Sequence, residues 1–84
     1  MLHIRYRRKA LRGILKMPKW TAQQFFGAFE QLAVENLGGL DIVKLKGRKG
    51  YRLRIGGFRA IYTIERNQLL ILVLDAGARG DIYK

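Results

Sequence analysis

Residues 51–59 read Tyr-Arg-Leu-Arg-Ile-Gly-Gly-Phe-Arg. Apolar and basic residues alternate on both sides of Gly56-Gly57, and a Gly-Gly pair between two alternating runs is a strong two-residue hairpin signal. A loop made of those two glycines pairs Ile55 with Phe58, Arg54 with Arg59, Leu53 with Ala60 and Tyr51 with Tyr62. One face of the hairpin is then apolar, and the other carries Arg52, Arg54 and Arg59. Like charges directly opposite on a sheet are destabilising, so the Arg54/Arg59 pair asks for an anion, which an external partner would supply.

The elements around the hairpin follow from periodicity. Leu2 to Tyr6 alternates and predicts a strand, with His3 on its polar, surface side. Arg7 to Lys16 predicts a helix whose stripe is Ala10, Leu11, Ile14 and Leu15, weakened by Gly13. Pro18 ends it or opens the next helix. A second helix is expected from about Lys19 to Asn36. It has a capping box from Thr21 and Gln24, a core face of Ala22, Phe25, Phe26, Phe29, Leu32 and Ala33, and a stop at Gly38-Gly39.

Residues 40–50 read as a loop. Its Lys44, Lys46, Arg48 and Lys49 are either solvated or ligand-binding, and Gly47 and Gly50 permit close approach to a ligand. After the hairpin, Arg66-Asn67 marks a turn. Leu69 to Leu74 is apolar throughout, which suits a central strand covered on both faces. The order strand, helix, helix, three strands predicts a single α+β domain over 1–84, with a helical hairpin on one face of a mostly antiparallel meander. The first strand pairs with an edge of that meander.

The chain of 84 residues is small enough to favour a permanent partner. Its net charge of +11 is unevenly distributed. Residues 1–19 contain seven Lys or Arg and no acid, residues 20–43 three acids and no Lys or Arg, and residues 44–84 ten basic residues against three acids. Such a field suits a polyanion: nucleic acid, an anionic membrane surface or an acidic protein segment. There is no cysteine and a single histidine, His3. Disulfide frameworks, Cys-based zinc sites and His-based triads are therefore excluded, and no metal or cofactor is expected. No apolar run has transmembrane length and the N-terminus lacks a signal-peptide core, so the cytoplasm is the default compartment.

No phosphate-binding glycine motif and no close carboxylate pair is present. What remains is a set of arginines with tyrosines near the C-terminal half, which suits a charged phosphate transition state. RNA carries its own nucleophile in the 2′-hydroxyl, so a protein cleaving it needs to align attack, balance charge and assist two proton transfers. Arg59 and Arg79 suit phosphate oxygens, and Tyr83 suits proton transfer or base stacking. Arg54 can stabilise charge but is a poor base, since guanidinium stays protonated up to about pH 12.

The run Leu-Lys-Gly-Arg-Lys-Gly-Tyr-Arg-Leu-Arg-Ile-Gly-Gly-Phe-Arg-Ala-Ile-Tyr over 45–62 resembles the RelE/ParE superfamily of bacterial toxins. The ending Gly-Ala-Arg-Gly-Asp-Ile-Tyr-Lys over 77–84 is similar to that superfamily's C-terminal motif. The resemblance implies a toxin of a type II toxin–antitoxin system that cuts messenger RNA on the ribosome, a metal-independent endoribonuclease inhibiting translation. By motif position it implies catalytic roles for Arg52, Arg54, Arg59, Arg79 and Tyr83, with Lys44, Lys46, Arg48 and Lys49 as further RNA contacts. Arginine at 54 departs from members with lysine there, which leaves the base unassigned. A cognate antitoxin is the implied protein partner, in a toxin–antitoxin hetero-oligomer. The alternative within the superfamily is a ParE-like inhibitor of DNA gyrase that acts by binding.

Overall fold

The computed structural model describes residues 1–78 in the order β1 (His3–Tyr6), α1 (Arg8–Leu15), α2 (Lys19–Ala33), β2 (Asp41–Lys44), β3 (Tyr51–Ile55), β4 (Phe58–Glu65), a 3-10 turn at Arg66–Gln68, and β5 (Leu70–Ala78). The strands form one sheet of order β1-β5-β4-β3-β2, antiparallel except for the parallel β1/β5 pair. Both helices pack on the same sheet face, giving the expected α+β architecture.

The β3–β4 hairpin has the expected register at every pair: Ile55 with Phe58, Arg54 with Arg59, Leu53 with Ala60 and Tyr51 with Tyr62. Gly56 has φ +59° and is the turn residue in the left-handed region, as a II′ turn requires. Apolar side chains on this hairpin pack under the helices because strand side chains alternate between faces. Leu53, Ala60 and Tyr62 join Phe25, Phe29 and Leu32 of α2 in the core.

Edge-to-face rings tie the layers together. Tyr6 meets Phe26 at 5.5 Å and Phe29 at 5.8 Å, and Phe29 meets Tyr62 at 5.5 Å. Each such pair adds about 0.5–1.5 kcal/mol beyond its buried area. Tyr62 also stacks on Tyr51, with centroids 5.4 Å apart. Burial pushes the Tyr6 and Tyr62 phenols up to about 12, with Glu30 and Tyr51 respectively adding to the shift.

Several expectations are corrected. Residues 41–44 form a fifth strand and not a loop. Asp41-Ile42-Val43-Lys44 does not alternate, because its two apolar residues are adjacent, and this edge strand is half-exposed, its Val43 and Lys44 pointing largely into solvent. Short, lysine-bearing edges resist pairing with other chains. The Thr21/Gln24 capping box does not form, because α2 starts two residues earlier, behind Pro18, with no side-chain cap. The helix also stops before the glycine pair, where Glu35 takes a left-handed φ of +59°. On α1, Leu11 and Leu15 are exposed, and only Ala10 and Ile14 of the stripe are buried.

Gly13 has a specific packing role. A Cβ there would lie 1.9 Å from the Ala76 carbonyl oxygen, so α1 rests its backbone directly on β5. β5 itself runs on to Ala78 through a bulge at Leu74, since Tyr62 pairs with Val73 and Ile61 with Asp75. It lies inside the sheet, but among the described residues the helices cover only one of its faces. No described helix is long and apolar enough to cross a membrane.

Candidate functional site

The face of the sheet turned away from the helices is built by the same alternation that builds the core. Where Tyr51, Leu53 and Ile55 point inward, Arg52 and Arg54 must point outward; where Phe58, Ala60 and Tyr62 point inward, Arg59 and Ile61 point outward. Register then sets two rows across four strands. One runs Asp41, Arg54, Arg59, Gly77, and the next Val43, Arg52, Ile61, Asp75. Arg52, Arg54 and Arg59 thus meet at one end of one face, as the sequence suggests.

The structure adds an acid to that end. Asp41 Oδ2 accepts a hydrogen bond from Arg54 Nε at 2.8 Å and forms an ion pair with Arg54 Nη2 at 2.7 Å, with both side chains about half exposed. The like-charge opposition of Arg54 and Arg59 is therefore relieved within the chain, at Arg54, and not solely by an external anion. No sequence signal marked Asp41, because its partner is visible only once β2 is known to pair with β3. Arg52 Nε is buried without a hydrogen-bond partner among the described residues. Opposite Arg59, Gly77 contributes no side chain, which leaves the outward surface of that row low.

The four cations of 44–49 are not gathered with the arginines. Lys44 is the register partner of Tyr51 and so lies on the helix side of the sheet. Lys46 and Arg48 are exposed in the connecting loop. Lys49 is held by Glu65 at 3.0 Å, an ion pair whose hydrogen bond keeps the Glu65 carboxyl below its ordinary range. Gly50, read as a point of close approach to a ligand, instead approaches the chain itself. It is buried with φ +125°, and a Cβ there would sit 2.9 Å from the Tyr62 carbonyl oxygen.

Arg79 and Tyr83 lie outside the described residues, so their expected places in the site are not part of this geometry. The tyrosines that are described do not substitute for Tyr83: Tyr6, Tyr51 and Tyr62 all point to the helix side, and burial raises the Tyr62 phenol to about 12. His3 is exposed on β1, four strands from β2 along the sheet and two from β4. No group of three or more His, Cys, Asp or Glu that could hold a metal occurs among the described residues. The arrangement can bind anions through paired guanidinium groups and can stabilise charge building on a phosphate.

The sequence profile of the family described as "ParE toxin of type II toxin-antitoxin system, parDE" matches residues 4–83. No curated protein matches the sequence significantly. Among solved structures, the chain is similar to the archaeal RelE-RelB complex from Pyrococcus horikoshii. The match has a TM-score of 0.80 and 24% identity, covering 95% of this chain and 97% of that one. A metal-bound toxin from Helicobacter pylori gives a TM-score of 0.82 at 15% identity, over 99% of this chain and 100% of that one. The intact Escherichia coli RelBE toxin-antitoxin complex gives 0.77 at 15% identity, over 93% and 96%. At these identities the structural likenesses speak to the fold.

Proposed function

We propose that this chain, which belongs to the ParE toxin family of type II toxin–antitoxin systems within the RelE/ParE superfamily, is a metal-independent endoribonuclease that cuts messenger RNA on the ribosome. The observation that carries this reading is the convergence of Arg52, Arg54 and Arg59 on the sheet face that no helix among the described residues covers. RNA strand scission needs no resident metal or histidine if its charge is met. The 2′-oxygen attacks phosphorus, the bond to the 5′-oxygen breaks, and a 2′,3′-cyclic phosphate and a 5′-hydroxyl result. One proton leaves the 2′-hydroxyl and one reaches the departing oxygen.

Arg52 and Arg59 are the guanidinium groups assigned to the phosphate oxygens, where charge grows in the transition state. Arg54 is the third, its charge shared with Asp41. Arg79 and Tyr83 complete the proposed set, with Tyr83 the group suited to proton transfer. Lys46 and Arg48 are proposed as peripheral RNA contacts. The partner proposed for the toxin is a cognate antitoxin, in line with the RelE-RelB and RelBE complexes of the structural relatives.

A gyrase-inhibitor reading is favoured by one specific observation: the family profile that matches is that of ParE toxins. The two are separated by brief expression of the chain, with transcript ends mapped on ribosomes, beside a gyrase supercoiling assay. Cuts in translated messages that vanish in Arg59→Ala support the nuclease. Intact messages with inhibited supercoiling overturn it in favour of gyrase.

A further inference from the structure

We propose that the cleft between α1 and the end of β5 is a second subsite for single-stranded RNA, continuous with the arginine face; the choice of RNA as ligand rests on the ribonuclease reading. The cleft is an open hollow of about 420 Å³ whose walls include Lys9, Arg12 and Lys16 from the α1 side, Gly77 from β5 and Phe58 from β4. Positions 9, 12 and 16 share one flank of a helix. At 1.5 Å per residue they spread three cations over about 10 Å along the groove.

Two of those cations are available. Arg12 and Lys16 are exposed and enter no ion pair among the described residues, whereas Lys9 is held by Asp75 at 3.3 Å. The wall facing them is built of small residues, which leaves room for a nucleotide. Phe58 is half-buried and supplies an aromatic ring of the kind on which bases stack. An acidic peptide would use the cations but has no use for that ring.

Continuity with the arginine face comes from register. Phe58 and Arg59 are consecutive on β4 and so project to opposite faces of the same strand. Gly77, which lines the cleft, is the register partner of Arg59. A strand of RNA leaving Arg59 and passing round this end of the sheet next meets Arg12 and Lys16. The sequence offers no sign of this, because Lys9, Arg12 and Lys16 merely fall off the apolar stripe of the first helix, where charges are ordinarily solvated.

The test measures binding of a fluorescent 2′-O-methyl oligoribonucleotide, which cannot be cleaved, to the full chain between 50 and 200 mM salt. Arg12→Gln/Lys16→Gln is compared with Arg8→Gln/Lys19→Gln, which removes two exposed charges outside the cleft, and all variants are checked for folding by circular dichroism. Each phosphate contact on a single strand contributes about 0.7 to the log–log salt slope. The cleft double variant should therefore lose about 1.4 in slope, and the control pair less than half of that.

Asp75→Asn should act in the opposite sense. It keeps an oxygen for the Ala76 N–H while releasing Lys9, so RNA binding should tighten and the slope steepen by about 0.7. Equal slopes in the cleft and control variants overturn the proposal, as does weaker binding by Asp75→Asn or no RNA binding by the parent chain. Loss of poly-glutamate binding with RNA binding retained would assign the cleft to an acidic protein segment instead. Because the oligonucleotide is uncleavable, a ribonuclease reading that fails in the transcript assay leaves this result standing, and the reverse also holds.

Discussion

Replacing Gly13 by alanine should destabilise the protein, although alanine is the better helix former. In an exposed helix interior the exchange gains about 1 kcal/mol. At position 13 the added Cβ would lie 1.9 Å from the Ala76 oxygen, a backbone atom that cannot swing aside, where ordinary contact starts at 3.4 Å. To restore contact α1 must retreat by roughly 1.5 Å, which lifts Ala10 and Ile14 off the core they help to fill. A clash with backbone belongs at the upper end of overpacking costs, about 2–3 kcal/mol, so after the gain in helix propensity the net loss should be about 1–2 kcal/mol. For a domain of this size that lowers Tm by roughly 5–15 °C.

Gly27→Ala provides the matched control, since a Cβ at position 27 meets nothing within 4 Å. It makes the same chemical change in α2 and should stabilise by up to about 1 kcal/mol. Urea unfolding followed by circular dichroism measures both. A Gly13→Ala chain as stable as the parent, or more so, would refute the claim that α1 lies backbone-to-backbone on β5.

Three further outcomes are expected. Gly50→Ala should lose about 2 kcal/mol or more in urea unfolding, because it combines a φ of +125° with a Cβ 2.9 Å from the Tyr62 oxygen. Asp41→Asn should lower stability by no more than about 1 kcal/mol, since the Arg54 pair is half exposed, and the loss should shrink as salt screens Arg54 from Arg59. In alkali, the Tyr6 and Tyr62 phenols keep their protons to about 12 in the folded chain, against about 10 when unfolded. The unfolded state therefore loses protons first, and this contribution to stability is full below pH 10 and is lost as pH rises towards 12. Tyr62→Phe should flatten the fall in that window, read as unfolding midpoints at pH 9, 10 and 11.

The hairpin was legible because a two-glycine turn fixes register, and register with alternation fixes which side chains share a face. Arg52, Arg54 and Arg59 could be placed together for that reason alone. β2 was not legible: its two apolar residues, Ile42 and Val43, are adjacent and flanked by charges, so the alternation that reveals β1 is absent, and an edge strand has no need to be apolar. With β2 hidden, Asp41 could not be matched to Arg54. Gly13 and Gly50 were visible as glycines, but what each touches belongs to a strand far along the chain. Leu11 and Leu15 satisfied helical spacing, yet α1 presents Gly13 to β5 and turns that pair of leucines outward. Local pattern gives the period of an element; the contact partner decides its rotation.

The parallel pairing of β1 with β5 bears on how the protein is made. His3 is the register partner of Leu70, and Tyr6 of Val73. β1 therefore has no neighbour in the sheet until β5 has left the ribosome. Contacts of such wide sequence separation slow folding, because loop closure precedes the reward. During translation the nascent chain can build its helices and the β3–β4 hairpin, but α1 lacks the β5 surface on which Gly13 sits. Assembly of the arginine face into the five-stranded sheet therefore waits until β5 has been made.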